Sequence, residues 1–181
     1  AANIDHISNG RFSLNVVSAW WEGEARQYGG IFTAHDERYA RTEEFIHILK
    51  GLWKETPFTY TGHFYQYKNT YLSPKPMKQH IPLYAGGESE AGKQTIAKTC
   101  DSYVMHGGTV EEIAEKINDM KNRRQSLGEK PLETFGMSAY IICRDTEEEV
   151  QQELARITEV KEGSPGYEGY KDFVSKSHLN V

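Results

Sequence analysis

The sequence predicts an α/β fold built around a parallel β-sheet. Short apolar segments alternate with helical segments four times along the chain, several helical segments begin with capping residues, and one hairpin-like segment interrupts the series. Strand–helix alternation indicates parallel strands, because each crossover helix returns the chain to the same direction. The alternation fits the central part of a (βα)8 barrel or a doubly wound open sheet, and the pattern alone does not distinguish them.

The composition limits the possible classes of function. The chain has 181 residues, of which 38% are hydrophobic and 26% are charged, and its formal net charge is -5. These values are typical of a globular protein, and they argue against nucleic acid and membrane as partners. No segment has the pattern of a membrane span, a signal peptide or a metal site, so we expect a cytoplasmic protein without a metal. Cys100 and Cys143 are predicted to be buried free thiols.

The first third of the chain predicts the end of a helix, a strand and a long helix. Residues 1–11 have the pattern of the last turns of a helix, which ends at Asn9 and Gly10. The alternation of side chains in residues 12–18 predicts a strand. A loop with two adjacent tryptophans follows. Residues 33–53 predict a helix whose first turn is capped by Thr33 and Asp36. Its buried face is predicted from steps of three and four residues, at Tyr39, Thr42, Ile46, Leu49 and Trp53.

The rest of the chain predicts an inserted hairpin and three further strand–helix units. Residues 57–72 have the composition of a β-hairpin and are followed by a Pro-containing linker. The units pair strands at residues 81–85, 102–106 and 135–143 with helices that begin near Ser89, Thr109 and Thr146. The last of these helices is predicted to be buried through Val150, Leu154 and Ile157. From residue 162 the chain is rich in glycine and predicts a mobile loop.

The turn after the strand at residues 81–85 is the first candidate for ligand binding. An apolar run passes through Gly86 and Gly87 to Glu88, Ser89 and a helix. Glycines allow a ligand to approach the backbone, and the first N–H groups of a helix favour an anion. These residues alone fit either a phosphate site or a tight turn without a ligand.

Five segments together resemble the bacterial-luciferase-like flavin monooxygenases. They are Ile4-Asp-His-Ile-Ser-Asn-Gly-Arg-Phe, Asn15-Val-Val-Ser, Glu24-Ala-Arg-Gln-Tyr-Gly, His35-Asp-Glu-Arg-Tyr and Tyr84-Ala-Gly-Gly-Glu-Ser. The resemblance covers nearly the whole chain and is strongest to the alkanesulfonate and long-chain alkane monooxygenase branch. It implies a luciferase-like (βα)8 TIM barrel, of which residues 1–181 would form about four central units with an inserted β-hairpin. Residues 161–181 would then be the mobile insertion before the final strand.

The resemblance also implies a cofactor and the residues that bind it. The cofactor would be FMN, used as FMNH2, with O2 as co-substrate. The resemblance assigns cofactor binding to Asn15, Ser18, Tyr39, Gly87, Glu88 and Ser89. Asn15 would contact the flavin ring, Tyr39 would lie near the phosphate, and Ser89 would donate its hydroxyl to it. The alternatives from the residues themselves are an Asn15 amide bonded to the backbone and a Tyr39 ring that only packs in the core.

Three residues are candidates for the substrate pocket. Ser138 and Tyr140 are two apart in a predicted strand and would share a face, and His106 ends another strand. Similar alkanesulfonate monooxygenases carry Arg and His at positions 138 and 140. The loss of a cation there indicates an uncharged substrate, because Arg is the usual partner of oxyanions. The alternatives are that Ser138 and Tyr140 fill a barrel interior and that His106 is a loop histidine.

The function implied by the resemblance is a two-component monooxygenase for a small organosulfur compound. The segments Val16-Val-Ser-Ala-Trp-Trp-Glu and Val104-Met-His-Gly-Gly-Thr resemble family members that oxidise dimethyl sulfone to methanesulfinate and formaldehyde. The expected partners are an NAD(P)H:flavin reductase and further copies of the chain in a homo-oligomer. The alternatives are an alkanesulfonate or other luciferase-like monooxygenase, a deazaflavin-dependent oxidoreductase, and a non-catalytic flavin-binding fragment.

Overall fold

The computed structural model describes residues 1–159 and 161–176. The chain forms two compact units. The first comprises residues 1–18 and 33–138, and the second comprises residues 19–32 and the described residues from 139 onward. The elements in chain order are α1 (Ala2–Ile7), β1 (Leu14–Val16), α2 (Glu22–Gln27), α3 (His35–Lys54), β2 (Phe58–Thr61), β3 (Gln66–Thr70), β4 (Leu83–Gly86), α4 (Glu90–Thr99), β5 (Ser102–His106), α5 (Val110–Ser126), β6 (Thr134–Ser138), α6 (Glu147–Thr158) and α7 (Pro165–Lys176).

The first unit contains a four-stranded parallel sheet and a separate antiparallel hairpin. The strand order is β1-β4-β5-β6, and β2 pairs with β3 as the hairpin. The order of the parallel strands follows the chain without the reversal that characterises a doubly wound sheet. The structure therefore confirms the predicted parallel sheet and inserted hairpin, and its strand order favours the barrel alternative.

The core of the first unit lies between one face of the sheet and the helices α3, α4 and α5. Ile81, Leu83 and Tyr103 from the sheet side and Ile96 and Met120 from the helices are almost completely buried. Leu83 and Ala85 point into this core, whereas the alternate residues Tyr84 and Gly86 lie on the other face. The predicted face of α3 is confirmed, because Ile46 and Trp53 are buried in the same cluster.

The predicted helix starts are confirmed for three helices and wrong for the fourth. Ser89, Thr109 and Thr146 are the N-cap residues of α4, α5 and α6, and the last two form complete capping boxes. The predicted cap at Thr33 is wrong, because α3 begins one residue later with Ala34 as its N-cap. The Thr33 carbonyl instead accepts a hydrogen bond from the Arg38 guanidinium.

Five predictions for residues 19–32 and for the chain from residue 135 onward are wrong. The predicted strand at residues 135–143 ends at Ser138, and Cys143 is exposed rather than buried. Leu154 and Ile157 of α6 are 41% and 50% exposed. Helical periodicity predicts an apolar face, but it does not show whether another layer covers that face. The tryptophans are followed by the short helix α2, and residues 165–176 form α7 instead of a loop.

Glycine content explains the missed helix α7. Pro165 stands at its first position, where proline is favourable, and the glycines that follow lower helix propensity without forbidding a helix. The parts of the tail prediction that concern residues 160 and 177–181 lie outside the described residues.

Candidate functional site

The carboxyl ends of the parallel strands bring most of the predicted site residues to one edge of the first unit. The segment Gly87–Ser89 follows β4, His106 ends β5, and Ser138 ends β6. His106 and Ser138 are register partners in neighbouring strands. This is the edge at which barrels and open α/β sheets bind ligands.

The turn after β4 presents hydrogen-bond donors. The Ser89 hydroxyl accepts a hydrogen bond from the Gly92 N–H at 3.2 Å and so caps α4. The first N–H groups of α4 have no acceptor within the helix, and together with the helix dipole they favour an anion. The Tyr103 hydroxyl donates to the Gly87 carbonyl at 3.3 Å. Because the peptide is planar and trans, the Glu88 N–H points away from Tyr103.

The side chain of Tyr39 reaches this turn from α3. A Cβ atom added at Gly87 or at Gly92 would lie 3.0 Å from the Tyr39 hydroxyl oxygen. A side chain at either position would crowd the Tyr39 hydroxyl, so glycine suits this close approach. Tyr39, Gly87 and Ser89 were assigned to one site from the sequence, and the structure brings them together.

The Glu88 carboxylate makes contacts that the sequence did not indicate. Its Oε1 accepts hydrogen bonds from the His106 backbone N–H at 3.0 Å and from the Lys116 ammonium at 2.9 Å. Burial alone would raise the pKa of Glu88, but these two hydrogen bonds outweigh it and lower the pKa below the ordinary value of 4.5. Lys116 is 28 residues away on α5, and no local pattern pairs it with Glu88.

A second group of charges surrounds the start of α4. Arg123 donates to the Glu90 carboxylate at 2.9 Å and to Asp119 at 2.8 Å, and Lys93 contacts Asp119 at 2.9 Å. Burial opposes ionisation of Asp119, yet hydrogen bonds from Lys93 and Arg123 lower its pKa. The acidic side chains near the turn are therefore paired with cations.

Asn15 lies in β1 and Ser18 just after it, and β1 is paired with β4. Asn15 is the register partner of Tyr84, and its side chain is exposed. Leu14 and Val16 pack against the buried core, so Asn15 between them points to the opposite face of the sheet. The Ser18 hydroxyl lies 2.7 Å from the Thr42 hydroxyl of α3 and links the end of β1 to that helix.

Tyr140 does not share a strand face with Ser138. β6 ends at Ser138, and the Tyr140 side chain is 100% exposed in the second unit. The period-two argument that joined the two residues is therefore wrong, because it applies only inside a strand. Ser138 and the His106 side chain are themselves exposed.

The described residues show neither a metal-binding cluster nor a membrane-spanning helix. Residues 1–159 and 161–176 contain no group of three His, Cys, Asp or Glu side chains that could hold a metal ion. Within the same ranges, no helix is long and apolar enough to cross a membrane.

The turn has the features of a site for a phosphate group. It offers the Ser89 and Tyr39 hydroxyls, the free N–H groups of α4 and a backbone kept open by two glycines, while its acidic side chains are neutralised. Such a turn at the carboxyl ends of parallel strands defines an α/β protein suited to a phosphorylated ligand.

Residues 1–178 match the family described as luciferase-like monooxygenase, and the chain belongs to this family. It is 39% identical over 157 residues to an FMNH2-dependent dimethylsulfone monooxygenase of Pseudomonas putida, covering 86% of this chain and 43% of that protein. The corresponding protein of Pseudomonas fluorescens (strain Pf0-1) is 39% identical over 156 residues, with 86% and 42% covered. The chain therefore spans less than half the length of these relatives.

The comparison with solved structures confirms the fold. EDTA monooxygenase from Chelativorans sp. BNC1 superposes with a TM-score of 0.80 at 20% identity, covering 95% of this chain and 47% of that one. The predicted luciferase-like barrel class and the family resemblance are both confirmed for the matched part of the fold.

Proposed function

We propose that this chain contributes the phosphate-binding side of an FMNH2 site in a two-component monooxygenase that oxidises dimethyl sulfone. The observation that carries the proposal is the convergence of Tyr39 and Ser89 on a glycine-lined turn, in a chain 39% identical to FMNH2-dependent dimethylsulfone monooxygenases. The finer assignment of the substrate depends on that identity alone.

Each part of the site has a separate task toward the cofactor. The Ser89 and Tyr39 hydroxyls and the N–H groups of Gly87, Glu88 and the first turn of α4 hold the phosphate. Asn15, on the open face of the sheet, orients the ring, and Ser18 fixes the end of β1 against α3. Reduced FMN, when bound, supplies the activation of O2, while the protein provides binding, orientation and exclusion of water.

The substrate is proposed to be uncharged. Ser138 and His106 are neighbours at the strand ends, and Lys116, on the following helix, is already paired with Glu88. An alkanesulfonate would need cationic or several N–H partners for its buried oxygens, whereas a sulfone has two acceptor oxygens and no net charge. Tyr140 is included in the pocket on the sequence resemblance alone.

The overall reaction balances with one oxygen molecule and one reduced flavin. Dimethyl sulfone, O2 and FMNH2 give methanesulfinate (as the acid), formaldehyde, FMN and water. One oxygen atom ends in formaldehyde and the other in water. The flavin must then be reduced again, so an NAD(P)H:flavin reductase is the proposed partner.

The test is a coupled assay of the protein expressed from its complete reading frame. It contains FMN, a flavin reductase, NADH and one substrate at a time, with formaldehyde measured for the sulfone and sulfite for methanesulfonate. We expect the sulfone to be preferred, and Ser138→Arg with Tyr140→His to shift the preference toward sulfonates. Equal or faster turnover of sulfonates by the unmodified protein would contradict the charge argument. Flavin binding without turnover would instead favour the non-catalytic alternative.

A further inference from the structure

We propose that Glu88 and Lys116 form a positioning pair, which holds the phosphate turn in place and cancels a negative charge beside the flavin phosphate. The inference rests on the proposed function, because it assumes that the turn binds a phosphate. It adds a role for Lys116, a residue that no sequence pattern indicated.

The geometry joins three segments through one carboxylate oxygen. Glu88 Oε1 accepts from the His106 backbone N–H at 3.0 Å and from Lys116 Nζ at 2.9 Å. Lys116 Nζ also donates to the His106 carbonyl at 3.5 Å. The phosphate turn after β4 is thereby fixed to the end of β5 and to α5. Both side chains are largely shielded, with exposed fractions of 32% for Glu88 and 25% for Lys116.

The charge balance requires this pair. Glu88 directly precedes Ser89 in the phosphate turn, and the His106 N–H holds its carboxylate at the same edge of strand ends as that turn. An unpaired carboxylate there would repel the phosphate. This repulsion is stronger in a partly shielded site than in bulk water, because the charges are screened less. The Lys116 ammonium neutralises the charge of the Glu88 carboxylate, which still accepts the hydrogen bond from the His106 N–H. A plain glutamine could accept the same bond but could not attract the lysine as strongly.

This assignment predicts that loss of the Lys116 charge weakens the binding of FMN but not the binding of riboflavin. Riboflavin lacks the phosphate, so the charge at Glu88 should matter little for it. Lys116→Met should weaken binding of reduced FMN by about tenfold, the range expected for one charge-assisted contact, and change riboflavin binding by less than about twofold. Adding Glu88→Gln to Lys116→Met removes the uncompensated charge and should restore FMN binding to within about threefold of the unmodified protein.

The experiment is anaerobic titration of reduced FMN and reduced riboflavin into each variant, with melting curves to check folding. Lys116→Arg keeps the charge and should keep the preference for FMN. Lys121→Met is the matched control, because it removes the same charge from the same helix. The Lys121 side chain lies over the Phe135 ring and not at Glu88.

The outcomes separate this inference from the proposed function. Loss of FMN preference in Lys116→Met with recovery in the double variant supports it. Equal loss for both flavins, or no recovery in the double variant, overturns it while leaving the phosphate turn in place. If the unmodified protein binds FMN no better than riboflavin, the phosphate site itself is wrong and the inference fails with it.

Discussion

Replacing Ser89 with alanine tests the phosphate turn most directly, because one hydroxyl has two roles there. The Ser89 hydroxyl accepts the Gly92 N–H at 3.2 Å and caps α4. Loss of an N-cap serine costs about 1 kcal/mol of unfolding free energy. Loss of a hydrogen bond to a charged phosphate should cost about 1–3 kcal/mol of binding free energy, which is about 5- to 150-fold in affinity for reduced FMN.

Two further variants separate the cap from the phosphate contact. Ser89→Asp keeps an N-cap acceptor and favours the helix dipole, so stability should be retained. Its carboxylate would face the phosphate, however, and FMN binding should fall further than in Ser89→Ala. Thr109→Ala is the matched control, because Thr109 caps α5 by accepting the Glu112 N–H at 3.2 Å. It should lose similar stability and leave FMN affinity unchanged.

The assay is anaerobic titration with reduced FMN beside urea unfolding of each variant. The proposed site requires that Ser89→Ala and Ser89→Asp both lose affinity while only the alanine variant loses stability. Unchanged FMN affinity in Ser89→Ala, or full binding by Ser89→Asp, would refute the assignment of Ser89 to the phosphate.

Two other predictions concern stability. In Gly51→Ala, helix propensity alone predicts a gain of about 1 kcal/mol, but the new Cβ would lie 2.1 Å from the buried Phe58 ring. We therefore expect a net loss of about 1–3 kcal/mol in urea unfolding, and a more stable variant would contradict this packing. The pKa of Glu88 lies below 4.5 because the Lys116 and His106 hydrogen bonds outweigh the opposing effect of burial. Its stabilisation is therefore complete above about pH 4.5 and is lost as the pH falls through the lowered value. The stability difference between the protein and Glu88→Gln should shrink as the pH falls below about 4.5. A difference that grows on acidification would show the opposite shift.

Local rules predicted the parts of the fold that depend on neighbouring residues. The caps at Thr109 and Thr146 and the helix start near Ser89 are confirmed, since an N-cap hydroxyl and the N–H that it accepts are three residues apart. The strand of residues 102–106 was predicted with its observed bounds. The failed cap at Thr33 has a local cause too, because Ala34 takes the N-cap position and leaves Thr33 outside the helix.

Tertiary partners account for most of the remaining differences. Asn15 lies in a predicted strand that the structure confirms, but its side chain is exposed on the face opposite the buried core. Leu154 has the spacing of a buried face and is 41% exposed. In each case the sequence pattern describes the element correctly and does not show what lies against it.

In the candidate site, too, the sequence predicted individual residues but not their tertiary partners. Sequence resemblance selected Tyr39 and Ser89, which lie 50 positions apart and meet at Gly92, where an added Cβ would approach the Tyr39 hydroxyl at 3.0 Å and the Ser89 hydroxyl at 3.1 Å. It also assigned Glu88 to cofactor binding, and the structure pairs the Glu88 carboxylate with Lys116 at 2.9 Å. A glutamate beside a phosphate is unfavourable when considered alone and acceptable when considered with its partner. The identity of that partner depends on where α5 packs, and packing is the information that a single sequence lacks.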